Sequence, residues 1–560
     1  MAHFPESHFA CSGIGLSLKV SRMRLLVAFL VVCAAVSADG AELPAHQRID
    51  QFIAQRSKGF DKLVAAKCND VEFLRRITLD LTGRLPEASQ IRQFLKDKSG
   101  EKRRLTIDRL LKSPEYARHM THVFDAVLMQ RMTSSVVSPK SWQSFLRRSF
   151  AENKSWDKIT REILSADGVD AKKRAAARFY LDREAKVEPL TRQIGRIFLG
   201  ADLECAQCHN HPEVDDYLQV NYYGISAFLV RSFVFSKGKK GRKVMAEKAV
   251  GEVSFRSVFE RNVKGTKTTL PILFGGKVIK EPKLKKNQHY IVKPAKNVRP
   301  VPRFSRRAKL ADAVINAGGN RFARTLVNRV WAQLLGRGII EPIDLDHKGN
   351  PGSHPKLLAF LADQFKQKKY DIRWLVREIV LSKTYQRSSQ HKQQPPEESY
   401  AKGKLKPLLP EQLAWAILDA TGAAAAQRKK LANKANEDTV YRALAPQAAK
   451  IVKAIAHRPG KIPRGFNSQV GHALFLMNSP IIGDLVSARP GNLAAELTKM
   501  KDTKTLAESV YLKTLSRLPT NDEIAVVSDF VKQAKGKARQ TALEELIWVL
   551  ITSPEFRFNH

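Results

Sequence analysis

Helical spacing of apolar residues dominates the chain from residue 42 to about residue 200. In the stretch 71–81, apolar residues fall on one face of a helix at Phe73, Leu74, Ile77 and Leu81. Thr82-Gly83 ends this helix, and Arg84-Leu85-Pro86 begins the next one with proline at or near its first turn. A later helix stops at Ser113-Pro114-Glu115-Tyr116, where Ser113 can cap the helix that follows. The pattern predicts a series of short helices.

The last fifty residues repeat this arrangement. Arg517-Leu518-Pro519 precedes two helical patterns, which end at Ser553-Pro554-Glu555-Phe556. The landmarks have the same order as in residues 73–116, and units of this size bury too little apolar surface to be stable alone. We therefore predict a pseudo-symmetric body in which both units pack together on central helices at 308–390, with Leu546 and Leu550 buried.

Between residues 232 and 299 the apolar period changes to that of β-strands. Residues 250–259 and 269–279 have strand-like patterns joined by turns, after a basic loop broken by glycine at 237–243. Residues 308–390 return to strong helical periodicity. The predicted fold class is therefore mainly α, a multi-helical body with a small β-rich insert.

Residues 22–38 have the order of an export signal. Arg22 and Arg24 supply positive charge, residues 25–36 an apolar core, and Val36-Ser37-Ala38 a cleavage site of small residues. The true start is then Met23, and the mature chain begins near residue 39. The apolar run is too short for a transmembrane helix, and no later run of about 20 apolar residues follows. The pattern predicts export to the periplasm or the cell surface.

Soft metal-binding chemistry is concentrated just before the predicted insert, at Cys205, Cys208, His209 and His211. Cys-x-x-Cys-His is the signature of c-type haem attachment, in which both cysteines form thioethers and His209 ligates the iron. A zinc or iron centre on the two thiols and either His209 or His211 is an alternative. A structural disulfide is another, because an oxidising compartment permits it. The motif favours an exported protein that binds haem or a metal and has a redox role.

These changes in pattern divide the chain into four segments. The length of 560 residues is typical of two to four domains. The predicted segments are an N-terminal extension with signal peptide (1–38), an N-terminal helical domain ending in the cysteine motif (42–230), a basic β-rich insert and connector (231–300), and a C-terminal helical domain (301–560).

Net charge indicates the kind of partner. Lys and Arg number 96 against 54 Asp and Glu, so the formal net charge is +42. Such an excess is self-repelling unless anions or an acidic surface lie nearby. Because export argues against nucleic acid, the expected partner is an anionic glycan or envelope surface, which uses the same salt-dependent electrostatics. The alternative function is therefore an envelope- or anionic-glycan-binding module with a structural cysteine motif.

These landmarks together resemble a known pair of families. The motif around Cys205 and Cys208, the stretch Asn328-Arg329-Val330-Trp331 and the closing Ser-Pro-Glu-Phe are similar to planctomycete-type secreted proteins. Those proteins join domain-of-unknown-function families fifteen-forty-nine and fifteen-fifty-three. The resemblance covers most of the mature chain and implies its fold and export, while the families have no settled activity. The chain differs at Asn210, where the families usually carry aspartate.

A candidate ligand patch lies in the C-terminal half, at Asn328, Arg329, Trp331, Asp344 and His354. Arg329 is suited to holding a carboxylate or sulfate bidentately. An equal alternative pairs Arg329 with an internal acid and buries Trp331 in the core. Asp344 and His354 are candidates for a polar pocket or a distal ligand, although such residues are ordinary at loops and helix starts.

Two histidines three residues apart, His119 and His122, are a candidate metal pair on one predicted helix, although histidines at this spacing commonly bind no metal. Familiar catalytic signatures do not stand out in the chain: no nucleophile elbow, Walker loop or Rossmann fingerprint is found. The sequence therefore leaves open which reaction, if any, the protein catalyses.

Overall fold

The computed structural model describes residues 43–56, 59–133, 136–238, 240–259, 265–456 and 470–560. The predicted signal peptide, with Arg22, Met23 and Arg24, lies outside these residues. Every helix in the described ranges is too short or too polar to cross a membrane.

Helices dominate the structure, so the predicted fold class is confirmed. Before the insert come α1 (Ala45–Arg56), α2 (Phe60–Leu63), α3 (Asp70–Thr82), α4 (Ala88–Lys96), α5 (Lys102–Leu111), α6 (Pro114–Met129), α7 (Pro139–Ala151), α8 (Trp156–Ser165), α9 (Arg178–Leu181), α10 (Val187–Leu199) and α11 (Gln219–Leu229). After it come α12 (Arg306–Ile315), α13 (Arg321–Leu335), α14 (Pro355–Gln367) and α15 (Ile372–Leu381).

The C-terminal part is also helical. It contains α16 (Pro410–Ala420), α17 (Ala423–Leu431), α18 (Glu437–Ile455), α19 (Val470–Asn478), α20 (Pro480–Val486), α21 (Leu493–Leu497), α22 (Thr503–Thr514), α23 (Asn521–Lys532), α24 (Gly536–Thr552) and α25 (Pro554–Arg557). Short 3-10 helices lie at Arg174–Ala177, Cys205–Gln207, Lys286–Gln288, Gly318–Asn320, Glu397–Ser399 and Ala432–Lys434.

The insert forms three small antiparallel hairpins. They are β1 (Ser232–Phe235) with β2 (Val244–Glu247), β3 (Val253–Phe255) with β4 (Lys267–Thr269), and β5 (Tyr290–Val292) with β6 (Val301–Pro302). Of the strand predicted at 269–279, only Thr269 lies in a β-strand. Pro271 has no N–H to donate to a strand pair, and Gly275 has a left-handed φ of 58°. A fourth pair joins β7 (Lys406–Pro407) to β8 (Phe558–Asn559) and ties the C-terminus to the body.

Local capping explains the N-terminal helix boundaries. The side chain of Asn69 accepts a hydrogen bond from the Glu72 N–H at the start of α3 (2.9 Å), and Gly83 ends α3 with a φ of 67°. Ser113 caps α6 by accepting from the Tyr116 N–H at 3.2 Å. Both the predicted end at Gly83 and the predicted cap at Ser113 are therefore confirmed.

Buried side chains form two hydrophobic cores. The first runs from Ile49 to Ala401, joined by Leu512, and so includes side chains from both predicted helical domains. The second runs from Leu408 to Phe556 and receives Leu79 and Leu85 from the N-terminal unit. Helices α12 to α15 belong to the first core.

The two repeated units pack together, as predicted. Arg75 of α3 is buried, and its guanidinium donates to the backbone carbonyls of Phe556 (3.0 Å), Glu555 (3.4 Å) and Thr514 (3.5 Å). Leu550 is buried, whereas Leu546 is only partly buried. The expected partner at 308–390 is wrong for most of the unit: apart from Leu512, its buried apolar side chains in the described ranges pack with α16 to α21 in the second core.

Candidate functional site

The cysteine motif forms an exposed 3-10 turn directly after α10. Gly200 ends α10 with a φ of 62°, and the Cys208 N–H donates to the Cys205 carbonyl at 3.2 Å. Ala206, between the two cysteines, is fully buried and anchors the turn. Both thiols are free and exposed to solvent. A reactant that approaches this surface therefore meets both sulfur atoms.

His209 is held in one tautomer. Its Nδ1 lies 2.6 Å from the backbone carbonyl oxygen of Asn210. A carbonyl oxygen only accepts, so Nδ1 carries the hydrogen and Nε2 of the neutral ring keeps its lone pair. The ring packs against Phe259, with centroids 4.9 Å apart, and Phe259 is 79% exposed. His209 thus has the hydrogen-bonding pattern of a metal-ligating histidine.

His211 has the opposite arrangement. The Glu213 backbone N–H donates to its Nδ1 at 3.1 Å, so Nε2 carries the hydrogen of the neutral ring. The His211 backbone N–H donates to the Tyr217 carbonyl at 2.9 Å, and the two rings meet edge to face. To ligate a metal, His211 would have to give up its bond to Glu213 or lose a proton. The structure therefore distinguishes His209 from His211, which the sequence motif alone does not.

Hydrogen bonds from residues later in the chain hold the motif in place. The hydroxyl of Tyr223 donates to the Gln207 carbonyl at 2.9 Å. The Val258 N–H donates to the Cys208 carbonyl at 3.0 Å, which joins the insert to the turn. The Gln219 N–H donates to the Asn210 side-chain oxygen at 2.8 Å, an acceptor that aspartate would also supply. Sequence reasoning missed Gln219, Tyr223 and Phe259, because they show no spacing relative to the cysteines.

The candidate ligand patch is divided between two environments. Arg329 pairs with Asp344 at 2.5 Å. The Asn328 side chain both donates to and accepts from the backbone of Ile340 at 2.9 Å. Trp331 is fully buried, with its ring edge to face with that of Tyr400, and His354 packs on the same tyrosine. Arg329 is therefore paired with an internal acid, and Trp331 lies in the core.

The loop that carries Asp344 supports the cysteine motif instead of forming a pocket. The Asp202 N–H donates to the Asp344 carbonyl at 2.8 Å, and the Asp346 N–H donates to the Gly200 carbonyl at 2.9 Å. The Tyr217 hydroxyl donates to the carbonyls of Asp346 (3.2 Å) and Gly200 (3.3 Å). The segment leading into the cysteines is thus fixed to the α13–α14 connection.

The remaining candidate histidines, His119, His122 and His354, are buried to different degrees. Burial lowers the pKa of His354 to about 4 and that of His119 to about 3. The Nε2 of each has no hydrogen-bond partner among the described residues, while His122 Nε2 lies 3.2 Å from the Tyr441 hydroxyl. In the described ranges, no three or more His, Cys, Asp or Glu side chains are grouped to hold a metal ion.

These features define a mainly helical protein with an exposed Cys-x-x-Cys-His turn. Residues 48–232 match the family PSCyt2, Protein of unknown function (DUF1549). Residues 306–531 match the family PSD1, Protein of unknown function (DUF1553). The chain therefore belongs to the proteins that combine these two domains, which confirms the resemblance seen in its landmarks. No match is found among curated proteins or solved structures.

Proposed function

We propose that the protein is an exported haem-binding protein with a redox role, in which Cys205 and Cys208 attach c-type haem and His209 ligates its iron. The observation that carries the proposal is the His209 tautomer: the hydrogen bond from Nδ1 to the Asn210 carbonyl leaves Nε2 as the ligating atom beside two exposed thiols. Bound haem would supply one-electron chemistry.

The surroundings of the motif support this choice of cofactor. Both thiols are accessible, as thioether formation requires. Phe259 leaves most of its ring in water beside His209, an unfavourable exposure that an apolar porphyrin face would relieve. The role of this chain is to present the sulfur atoms, fix the His209 ring and offer that apolar contact.

A zinc or iron centre remains the alternative cofactor. A closed zinc site takes four ligands, and in the described ranges no third His, Cys, Asp or Glu side chain joins a group with the two thiols. The hydrogen bond from Glu213 also occupies His211 Nδ1. Such a centre would therefore need the turn to rearrange, whereas thioether attachment uses the exposed thiols as they stand.

The two histidines give a matched test of iron ligation. After expression with a c-type maturation system, we expect His209→Ala to lose or shift the Soret band, because the protein ligand is removed. His211→Ala should keep the wild-type spectrum, because its Nδ1 is already used by Glu213. Absorption spectra of both purified variants check this. A wild-type spectrum in His209→Ala, or equal shifts in both variants, would contradict the assignment.

We propose as a second activity that the insert binds an anionic envelope surface. Within residues 283–298 there are five lysines and no acidic residue. None of these lysines pairs with a carboxylate of the described residues: Lys283, Lys285, Lys286, Lys293 and Lys296. Ile291 of β5 is 64% exposed among them. Cationic side chains with an exposed apolar one are typical of surfaces that bind anionic bilayers.

Vesicle sedimentation tests this second activity. We expect binding to vesicles rich in phosphatidylglycerol, weak binding to phosphatidylcholine alone, and a loss at high salt. Ile291→Ser and Lys285→Glu/Lys286→Glu should each reduce binding several-fold. The matched controls Val526→Ser, which is 68% exposed, and Lys535→Glu/Lys537→Glu, on a different helical surface, should not. Retention of the protein by heparin without any vesicle binding would indicate an anionic glycan instead.

A further inference from the structure

The two repeated units have the same local geometry before their Arg-Leu-Pro landmarks. Gly83 and Ser516 precede the two arginines with left-handed φ values of 67° and 62°. Ser113 and Ser553 each cap the following helix at 3.2 Å by accepting from the third residue after them. The arginine and glutamate landmarks of one unit can therefore be compared directly with those of the other.

In the C-terminal unit, the two landmarks bind each other. The Arg517 guanidinium donates to Glu555 at 2.6 Å, which joins the Arg-Leu-Pro turn to the Ser-Pro-Glu helix start. It also donates to Glu523 of α23 at 2.7 Å. Both carboxylates that meet Arg517 at this turn are therefore paired within the unit.

In the N-terminal unit the equivalent pair is not formed. Arg84 donates instead to Asp419 (2.7 Å) and Glu437 (3.1 Å), which belong to the second half of the molecule. Gln90, at the third position of its helix, replaces the acid found at Glu523. Glu115, the counterpart of Glu555, makes no hydrogen bond or ion pair with the described residues, although its charge acts on Arg84 at longer range.

A cavity of about 490 Å³ lies beside Arg84 and Glu115, which do not pair with each other as Arg517 and Glu555 do. It lies between the N-terminal unit and helices α16 to α18 and α22, and its volume is in the range of small-molecule sites. Both N-terminal landmarks line it, with Arg84, Leu85, Pro86, Ser113 and Glu115. The C-terminal half contributes Asp419, Gly422, Arg428, Lys429, Glu437 and Lys513.

Three charges in the lining are left without a partner. Arg84 is paired as described, Arg428 donates to Glu87 at 2.7 Å, and Lys513 pairs with Glu496 at 2.6 Å. Among the described residues, Glu115, Arg109 and Lys429 pair with no opposite charge, and Arg109 and Lys429 are exposed. The cavity therefore offers one free carboxylate and two free cations to a ligand.

We propose that this cavity binds a small zwitterion of the amino-acid or short-peptide class. The ligand's ammonium would bind Glu115, and its carboxylates would bind Arg109 and Lys429. A purely anionic ligand leaves Glu115 unpaired beside it, and a metal ion would find one free carboxylate where hard cations take six or more oxygen ligands. This site is separate from the cysteine motif and does not depend on haem.

Calorimetric titration of the full chain tests the site. The probes are L-glutamate and L-alanyl-L-glutamate, each with one ammonium and two carboxylates, and glutarate, which lacks the ammonium. We expect the two zwitterions to bind the wild-type chain and glutarate to bind at least tenfold more weakly. Glu115→Gln should weaken the zwitterions by roughly tenfold or more and leave glutarate unaffected or slightly improved.

Glu555→Gln is the matched control. It removes the same charge from the equivalent position of the other unit, so it should lower the unfolding temperature by breaking the Arg517 ion pair but leave zwitterion affinity unchanged. Glu115→Gln should lower the unfolding temperature less than Glu555→Gln does, because Glu115 has no ion pair with the described residues to lose. The proposal is overturned if neither zwitterion binds, if glutarate binds as tightly as L-glutamate, or if Glu555→Gln weakens binding as much as Glu115→Gln.

Discussion

A chain truncated after residue 510 is expected to be insoluble or readily digested by protease. The deletion removes Leu543, Ile547 and Ile551, which are fully buried in the second core, together with Phe556. It also removes the carbonyls that solvate the buried guanidinium of Arg75. Burial of each such side chain contributes about 1.5–3 kcal/mol, so losing them removes a free energy comparable to the roughly 5–15 kcal/mol that stabilises a typical domain.

A point variant separates this effect from the size of the deletion. Arg75→Ala leaves the C-terminal carbonyls without their donor, so it should destabilise the protein by about 2–4 kcal/mol in urea unfolding. Arg104→Ala, at an exposed position on α5, should leave stability nearly unchanged. If the truncated chain stays soluble and unfolds cooperatively, the C-terminal unit is an independent appendage and this packing is wrong.

Replacing both motif cysteines is expected to abolish covalent haem attachment. Cys205→Ser/Cys208→Ser removes both thioether positions, whereas each single variant keeps one. The control is Cys68→Ala, at a thiol that is 2% exposed and lies near Arg103, remote in sequence from the motif. We expect it to retain haem. Haem-stained denaturing gels measure the result, and stain that persists in the double variant would contradict thioether attachment.

Much of the helical fold can be predicted because its signals are local. The apolar face at Phe73 and Ile77, the glycine at 83 and the serine at 113 act within a few residues of the helix ends they define. The repeat also predicts that its two units contact each other. The partner of the C-terminal unit could not be predicted, because α17 is alanine-rich and residues 440–490 have a mixed pattern, so neither shows which apolar face it buries.

The candidate site, like the fold, could be predicted only in part from the sequence. Cys205, Cys208 and His209 are contiguous, so their proximity is visible in the sequence. Their supports at Tyr223 and Val258 reach the motif only through folding. In the ligand patch, helix geometry turns successive residues by about 100°, so Arg329 and Trp331 do not share a surface. Arg329 meets Asp344, whereas Trp331 enters the core.

The most direct measurement of the central claim is the intact mass and absorption spectrum of the wild-type chain, exported from cells with a c-type maturation system. The account predicts a mass increase of one haem that survives denaturation, with a Soret band. It also predicts that protease fragments bearing the haem contain both Cys205 and Cys208. Correctly exported protein with unmodified thiols and no Soret band would contradict it, and zinc or iron in that sample would point to the metal centre.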